Sequence, residues 1–167
     1  MFGDFLHPLT ILTRIRPKWD MIVCQKALAT NLPIFGICAG CQLLNLTTGG
    51  KLNQNLDNAE SYHKNGAIHK ATLTKEAFWM SKGVTLDSTS SNVFTVNSYH
   101  HQAVMNNQLG QNIIISAYAD DNTVEAIELD DKTRMVLGVQ FHPERMGDTG
   151  SGYFNLLVKE AKKNMEK

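Results

Sequence analysis

From Pro17 onward, apolar residues recur at three- and four-residue spacings, at Trp19, Ile22, Val23, Ala27 and Leu28. This pattern predicts an amphipathic helix with proline at its first position, ending near Asn31 and closed by Leu32-Pro33. Ile34-Phe35-Gly36-Ile37 is a short apolar run of the kind that forms a strand buried on both faces, and Ala39 to Thr48 then reads as a helix before Gly49-Gly50. Beyond Leu56 the texture turns to β. Ala67–Thr74, Val93–Val96, Asn112–Ala119, Thr123–Leu129 and Met135–Phe141 each carry alternation or β-branched runs, separated by polar and glycine-containing segments. Ser151 to Lys167 places Tyr153, Phe154, Leu157, Val158 and Ala161 on one face and ends in a basic turn, predicting a terminal helix. Residues 1–16 show no clear period. Strands that first alternate with helices and then run consecutively imply an α/β sheet carrying an antiparallel extension.

Length and composition narrow the class. A chain of 167 residues suits one domain with one core. With 43% apolar and 19% charged residues, and 16 basic side chains against 16 acidic ones, it resembles neither a disordered segment nor a nucleic-acid binder, so a small neutral partner fits better. Cys24, Cys38 and Cys41 are odd in number, and the start lacks a basic stretch followed by an apolar core. Neither a disulfide framework nor a signal peptide is suggested, so the expected location is the cytoplasm. No apolar run approaches the roughly 18 residues of a membrane span.

Two short segments carry candidate chemistry. In Ile34-Phe35-Gly36-Ile37-Cys38-Ala39-Gly40, an apolar strand meets a helix through a turn with glycines two positions either side of a cysteine. A sharp turn of this kind pushes the central side chain out of the carboxyl edge of a sheet. The N-terminus of the next helix should lower the thiol pKa and offer backbone N–H groups, that of Ala39 first, to a developing oxyanion. The bland alternative is a buried structural cysteine beside a glycine turn. In Gly138-Val139-Gln140-Phe141-His142-Pro143-Glu144, a strand ends in a histidine and a glutamate two positions apart, which an extended chain projects to one side. Glu144 can then hold one imidazole nitrogen while the other faces a thiol. Here the alternative is a strand-end histidine in solvent beside an unrelated glutamate. The two segments lie about a hundred residues apart, as in sites assembled by folding.

Together, Gly36-Ile37-Cys38-Ala39-Gly40-Cys41-Gln42 and Phe141-His142-Pro143-Glu144 resemble the G-x-C-x-G-x-Q and F-H-P-E motifs of the class I glutamine amidotransferase superfamily. Pro33–Gln54, with Thr48-Gly49-Gly50-Lys51-Leu52-Asn53-Gln54, and Val96-Asn97-Ser98-Tyr99-His100-His101-Gln102 are similar to the gamma-glutamyl-gamma-aminobutyrate hydrolase-like members. The resemblance implies a flavodoxin-like fold with a central, mostly parallel sheet and an antiparallel extension. It implies a Cys38–His142–Glu144 triad that hydrolyses gamma-glutamyl amides through a cysteine thioester, with no cofactor. By position it implies that Gln42 contacts the glutamyl end of the substrate and that Ser98, Tyr99, His100, His101 and Gln102 line its pocket.

Metal binding is not expected, because adjacent histidines on a strand face opposite ways and no Cys/His set has ligand-pair spacing with partners. A redox pair at Cys38 and Cys41 is disfavoured by the elbow context. In the family, several strands and a glycine-rich oxyanion loop precede the segment equivalent to Trp19–Asn31. The expectation is therefore a single domain over 1–167 that is N-terminally short and lacks its first strands. An exposed sheet edge would then favour a homodimer. The alternative functions are a glutaminase subunit feeding ammonia to a synthetase partner, and a catalytically impaired binding module.

Overall fold

A computed structural model describes residues 16–56, 62–88 and 90–166. The described chain begins with α1 (Arg16–Leu28), β1 (Ile34–Ile37) and α2 (Ala39–Thr47). It continues with β2 (Leu52–Asn53), β3 (Ala67–Leu73), α3 (Met80–Gly83), β4 (Val93–Ser98) and β5 (Ala103–Val104). It closes with β6 (Ile113–Ala119), β7 (Val124–Leu129), β8 (Val136–Val139), a 3₁₀ turn over Pro143–Arg145 and α4 (Asp148–Met165). The final residue of the expected terminal helix, Lys167, lies outside the described residues. Six strands form one sheet in the order β1-β8-β7-β6-β3-β4, and β2 pairs with β5 in a separate two-stranded ribbon.

The α/β architecture with its antiparallel extension is as the sequence predicts. The balance within the sheet differs from the expected mostly parallel one. Among the described residues the parallel pairing is β1 with β8, and β8–β7, β7–β6, β6–β3 and β3–β4 all pair antiparallel. Short connections explain the β6–β7 and β7–β8 pairs, since only antiparallel neighbours can be joined by tight turns, whereas β3 reaches β4 through a longer segment that contains α3. Among the described residues β1 lies at the edge of the sheet, with Ile34, Phe35 and Ile37 half-buried rather than enclosed on both faces.

Two apolar clusters pack on opposite faces of the sheet. One joins Met21 of α1 and Leu44 and Leu46 of α2 to Val124, Ile127 and Val136. The other joins Tyr153 and Leu156 of α4 and Met80 of α3 to Phe94, Val96, Leu137 and Phe141. α1 faces the core differently from expectation: Trp19 and Val23 are exposed, while Met21 is buried and Cys24 and Leu28 are partly so. Met21, Cys24 and Leu28 are also spaced by three and four, so the helix carries two apolar stripes and packing selects one. In α4, likewise, Val158 is exposed and Leu156 is buried in its place.

Candidate active site

The parallel register of β1 and β8 places the two candidate segments side by side. Ile37 pairs with Val139, and the Cys38 N–H donates to the Val139 carbonyl at 2.8 Å, so the ladder continues one residue past β1. Cys38 then turns sharply, at φ 50° and ψ −102°, into α2. A non-glycine residue in the left-handed region costs roughly 1–3 kcal/mol and persists only where its surroundings over-determine it. Here the helix folds back over the strand so closely that a Cβ on Gly36 would lie 2.7 Å from the Gly40 carbonyl carbon. Glycine at 36 is what lets the elbow close.

The Cys38 thiol is half-buried, and Gln140 Nε2 donates to its sulfur at 3.5 Å. Burial pushes the thiol up to about 11. The Ala39 N–H opposes that rise, the charges of Glu125 and Glu144 add to it, and Gln140 opposes it. The expected lowering by the helix N-terminus is therefore overturned, because desolvation of a thiolate in this floor outweighs one aligned N–H. Ala39, whose N–H is the expected oxyanion donor, is exposed at the first position of α2.

His142 follows β8, and its Nδ1 lies 2.6 Å from Glu144 Oε1. The pairing is as expected, but its geometry is not that of a continuing strand: Pro143–Arg145 form a 3₁₀ turn that brings the carboxylate back to the ring. With Nδ1 held by a carboxylate, Nε2 is the nitrogen left for a substrate or thiol. The thiol hydrogen-bonds Gln140, and among the described residues no hydrogen bond joins it to His142, contrary to the expected Cys–His contact. The parallel register makes Gln140, not His142, the direct neighbour of Cys38.

Asn97, which sequence reasoning did not single out, grips the His142 backbone from both sides. Its Nδ2 donates to His142 O and its Oδ1 accepts from His142 N, each at 2.8 Å. The Tyr99 ring meets the imidazole edge-on with centroids 5.4 Å apart, and the Arg145 guanidinium lies 4.5 Å over the Tyr99 ring.

The other expected pocket residues divide. Tyr99 is partly exposed beside His142, whereas Ser98 and His100 are buried and turn inward, toward His63 and Glu125. Their side chains therefore do not face a surface beside Cys38, and what these two positions could offer a pocket is backbone groups, as the resemblance partly implies. Strand alternation explains the division, since Asn97 and Tyr99 share one face and Ser98 and His100 the other. His101 accepts from the Leu56 N–H through its carbonyl. Gln102 donates to Gln54 through its side chain at 2.6 Å. Gln42 spends both amide hydrogens inside the protein, on the Gln102 carbonyl at 3.0 Å and on Gln140 Oε1 at 3.1 Å. It braces the floor under the thiol. Gln140 itself, fully buried between Gln42 and Cys38, was also missed; it lies inside the second motif, two residues before His142.

Comparison with known proteins gives the family and the fold. The chain is 35% identical over 150 residues to a Mycobacterium tuberculosis protein whose name provisionally assigns it to the glutamine amidotransferases, covering 88% of this chain and 47% of that protein. It is 34% identical over 163 residues to Enterococcus hirae protein NtpR, covering 92% and 66%. It thus spans between about half and two-thirds of the length of these relatives. The fold matches a Thermotoga maritima glutamine amidotransferase, with TM-score 0.59 at 14% identity over 90% of this chain and 57% of that one. It also matches the glutaminase domain of Trypanosoma brucei CTPS, with TM-score 0.67 at 19% identity over 90% and 68%. A family model described as Peptidase C26 matches residues 7–144. That span holds Cys38, His142 and Glu144, and the chain belongs to the Peptidase C26 family of glutamine amidotransferase-like proteins.

Proposed function

We propose that the chain hydrolyses gamma-glutamyl amide bonds through a thioester on Cys38, with His142 as proton shuttle and Glu144 as its orienter. The observation that carries this is the 2.6 Å His142–Glu144 contact at the end of the strand that pairs with the one leading into the Cys38 elbow. In this reading the substrate carbonyl enters beside the exposed Ala39 N–H. His142 Nε2 takes the thiol proton as sulfur attacks the gamma-carbonyl carbon, and passes it to the departing amine. Water, activated by the same imidazole, then attacks the thioester and releases glutamate. A thiol near 11 suits proton transfer concerted with attack better than a resting thiolate.

The test incubates wild-type and Cys38→Ala protein with glutamine and with a series of gamma-glutamyl amides, and measures glutamate release and acid-trapped thioester. Release and thioester in the wild type alone support the reading; equal release from both proteins refutes it. A second reading, a glutaminase that feeds ammonia to a synthetase, is favoured by the 34% identity over 139 residues to Dictyostelium discoideum GMP synthase (glutamine-hydrolysing), which covers 82% of this chain and 17% of that one. Glutamine cleavage that appears only with a synthetase partner would select it. Partner-free cleavage of gamma-glutamyl amides selects the hydrolase.

A further inference from the structure

Behind the Ser98–Gln102 segment, on the side away from Tyr99, lies a buried group of side chains that the triad does not use. His63 comes from the segment before β3, His69 from β3, His100 from the chain after β4, and Glu125 from β7. All four are buried. Glu125 Oε1 lies 3.1 Å from His69 Nε2, 3.8 Å from His63 Nδ1 and 3.8 Å from His100 Nε2. The His63 ring centroid is 5.1 Å from that of His69 and 4.8 Å from that of His100. Donor atoms of His63, His69 and Glu125 all lie within 4.8 Å of one another.

Proton placement makes this arrangement informative. His63 Nε2 is 2.8 Å from Asp121 Oδ2, and His100 Nδ1 is 3.0 Å from the Gln102 carbonyl. Both partners only accept, so each outward nitrogen carries the hydrogen. In a neutral ring the inward nitrogen is then a bare lone pair, and His63 Nδ1 and His100 Nε2 both face the Glu125 carboxylate. Ser98 Oγ is near His63 Nδ1, at 3.3 Å, but also donates to the His63 carbonyl at 3.1 Å. His100 Nε2 and Glu125 Oε2 are buried with no hydrogen-bond partner. Lone pairs and a carboxylate thus converge in a dry space where the hydrogen bond to the carboxylate comes from His69 Nε2, at 3.1 Å, and a cation among them would offset the buried charge.

We propose that His63 Nδ1, His69 Nε2 and Glu125 bind a divalent transition-metal ion of the zinc class, with His100 Nε2 beside the carboxylate at the border of the group. Imidazole nitrogens with one carboxylate form a donor set that suits zinc in tetrahedral geometry. Asp121 supplies what metal-bound histidines ordinarily have, a carboxylate on the outer ring nitrogen that fixes the tautomer. The three donors are buried away from solvent, so the ion is structural. It ties β3 and β7 to the Ser98–Gln102 segment behind Tyr99, and it sets a positive charge beside the Glu125 carboxylate that acts on Cys38.

The experiment reads metal binding and not turnover, so its outcome is separate from that of the hydrolase reading. The full chain, as wild type and as Cys38→Ser to remove the half-buried elbow thiol as a competing ligand, is stripped with chelator and titrated with Zn²⁺ and Co²⁺. Expected are one tightly bound equivalent in both proteins, a raised Tm, and a four-coordinate Co²⁺ visible spectrum without a thiolate charge-transfer band. Glu125→Gln and His63→Ala should lose the equivalent, and Asp121→Asn should weaken binding about 10–100-fold. If the first two fail to fold, the Co²⁺ spectrum of the unmutated cluster and the Asp121→Asn affinity still decide. Absence of stoichiometric binding in folded Cys38→Ser protein overturns the proposal and leaves the cluster as a hydrogen-bonded charge network. So does a six-coordinate, water-like Co²⁺ spectrum.

Discussion

The side-chain amide of Asn97 holds the backbone of His142 through two reciprocal hydrogen bonds of 2.8 Å, joining β4 at the far edge of the sheet to the turn after β8. The imidazole is thereby fixed by its main chain as well as by Glu144. Replacing Asn97 by Ala or Leu frees the His142 peptide on both sides. A displacement of about 1 Å at a catalytic group costs on the order of 10²-fold in rate. Asn97→Ala is expected to lower kcat by about that factor while KM for a gamma-glutamyl amide changes little. Initial-rate kinetics check this, and a matched fall in affinity alone would show that Asn97 serves binding instead.

Glu144 should matter through the ring it orients. Glu144→Gln keeps the shape but removes the charge that supports an imidazolium, so turnover should fall by about 10²–10⁴-fold without vanishing. Cys38→Ala should abolish it, and the double variant should be no worse than Cys38→Ala alone, because the groups act as a unit. Glutamate release from the three variants under saturating substrate measures all of this.

The reactivity of Cys38 toward iodoacetamide should climb with pH across the whole accessible range. Only the thiolate reacts, and burial pushes this thiol up to about 11. With the folded pKa above neutral, each step upward in pH exposes more thiolate, so the rate should rise about tenfold per unit from roughly pH 7 to pH 10 with no plateau. Mass-spectrometric labelling of the substrate-free protein, with Cys24 and Cys41 followed separately, reads this directly. A plateau near neutrality would mean a preformed thiolate–imidazolium pair.

Glu128 offers a prediction about stability. Its buried carboxylate accepts the backbone N–H groups of Phe78, Trp79 and Met80 at 3.2, 2.8 and 2.8 Å, anchoring the start of α3 to β7. Glu128→Ala leaves these donors without a partner next to the apolar cluster that includes Trp79 and Met80. Each unsatisfied buried donor costs about 1–3 kcal/mol, so the variant should lose at least about 3 kcal/mol. Urea unfolding followed through the fluorescence of buried Trp79 checks this, since the other tryptophan, Trp19, is already exposed.

The sequence alone determined the local elements and the chemistry at their ends. β1 has the bounds read from its apolar run, α2 ends within one residue of expectation, β3, β6, β7 and β8 fall inside the β-rich segments, and β4 starts as expected but runs on to Ser98, two residues past its segment. The elbow at Cys38 and the His142–Glu144 pair could be read for the same reason: each is a short-range consequence of neighbouring residues, whether a glycine that lets a turn close or a proline that starts one. What periodicity leaves degenerate could not be read. α1 carries two apolar stripes, and packing decided which one is buried. β2 and β5, with two residues each, are too short to show alternation.

Tertiary structure alone decided what the polar residues between the motifs do. Alternation, with the lack of ligand-pair spacing, gave the expectation of no metal site. Yet the partners of His100 are His63, 37 positions earlier, and Glu125, 25 positions later, and they meet only because β3, β6 and β7 pair antiparallel across the sheet. Asn97 and His142, 45 residues apart, are joined in the same manner. Sequence spacing carries local geometry, whereas the pairing of distant strands is set by the burial of the whole sheet, and that pairing places a buried carboxylate among three imidazoles.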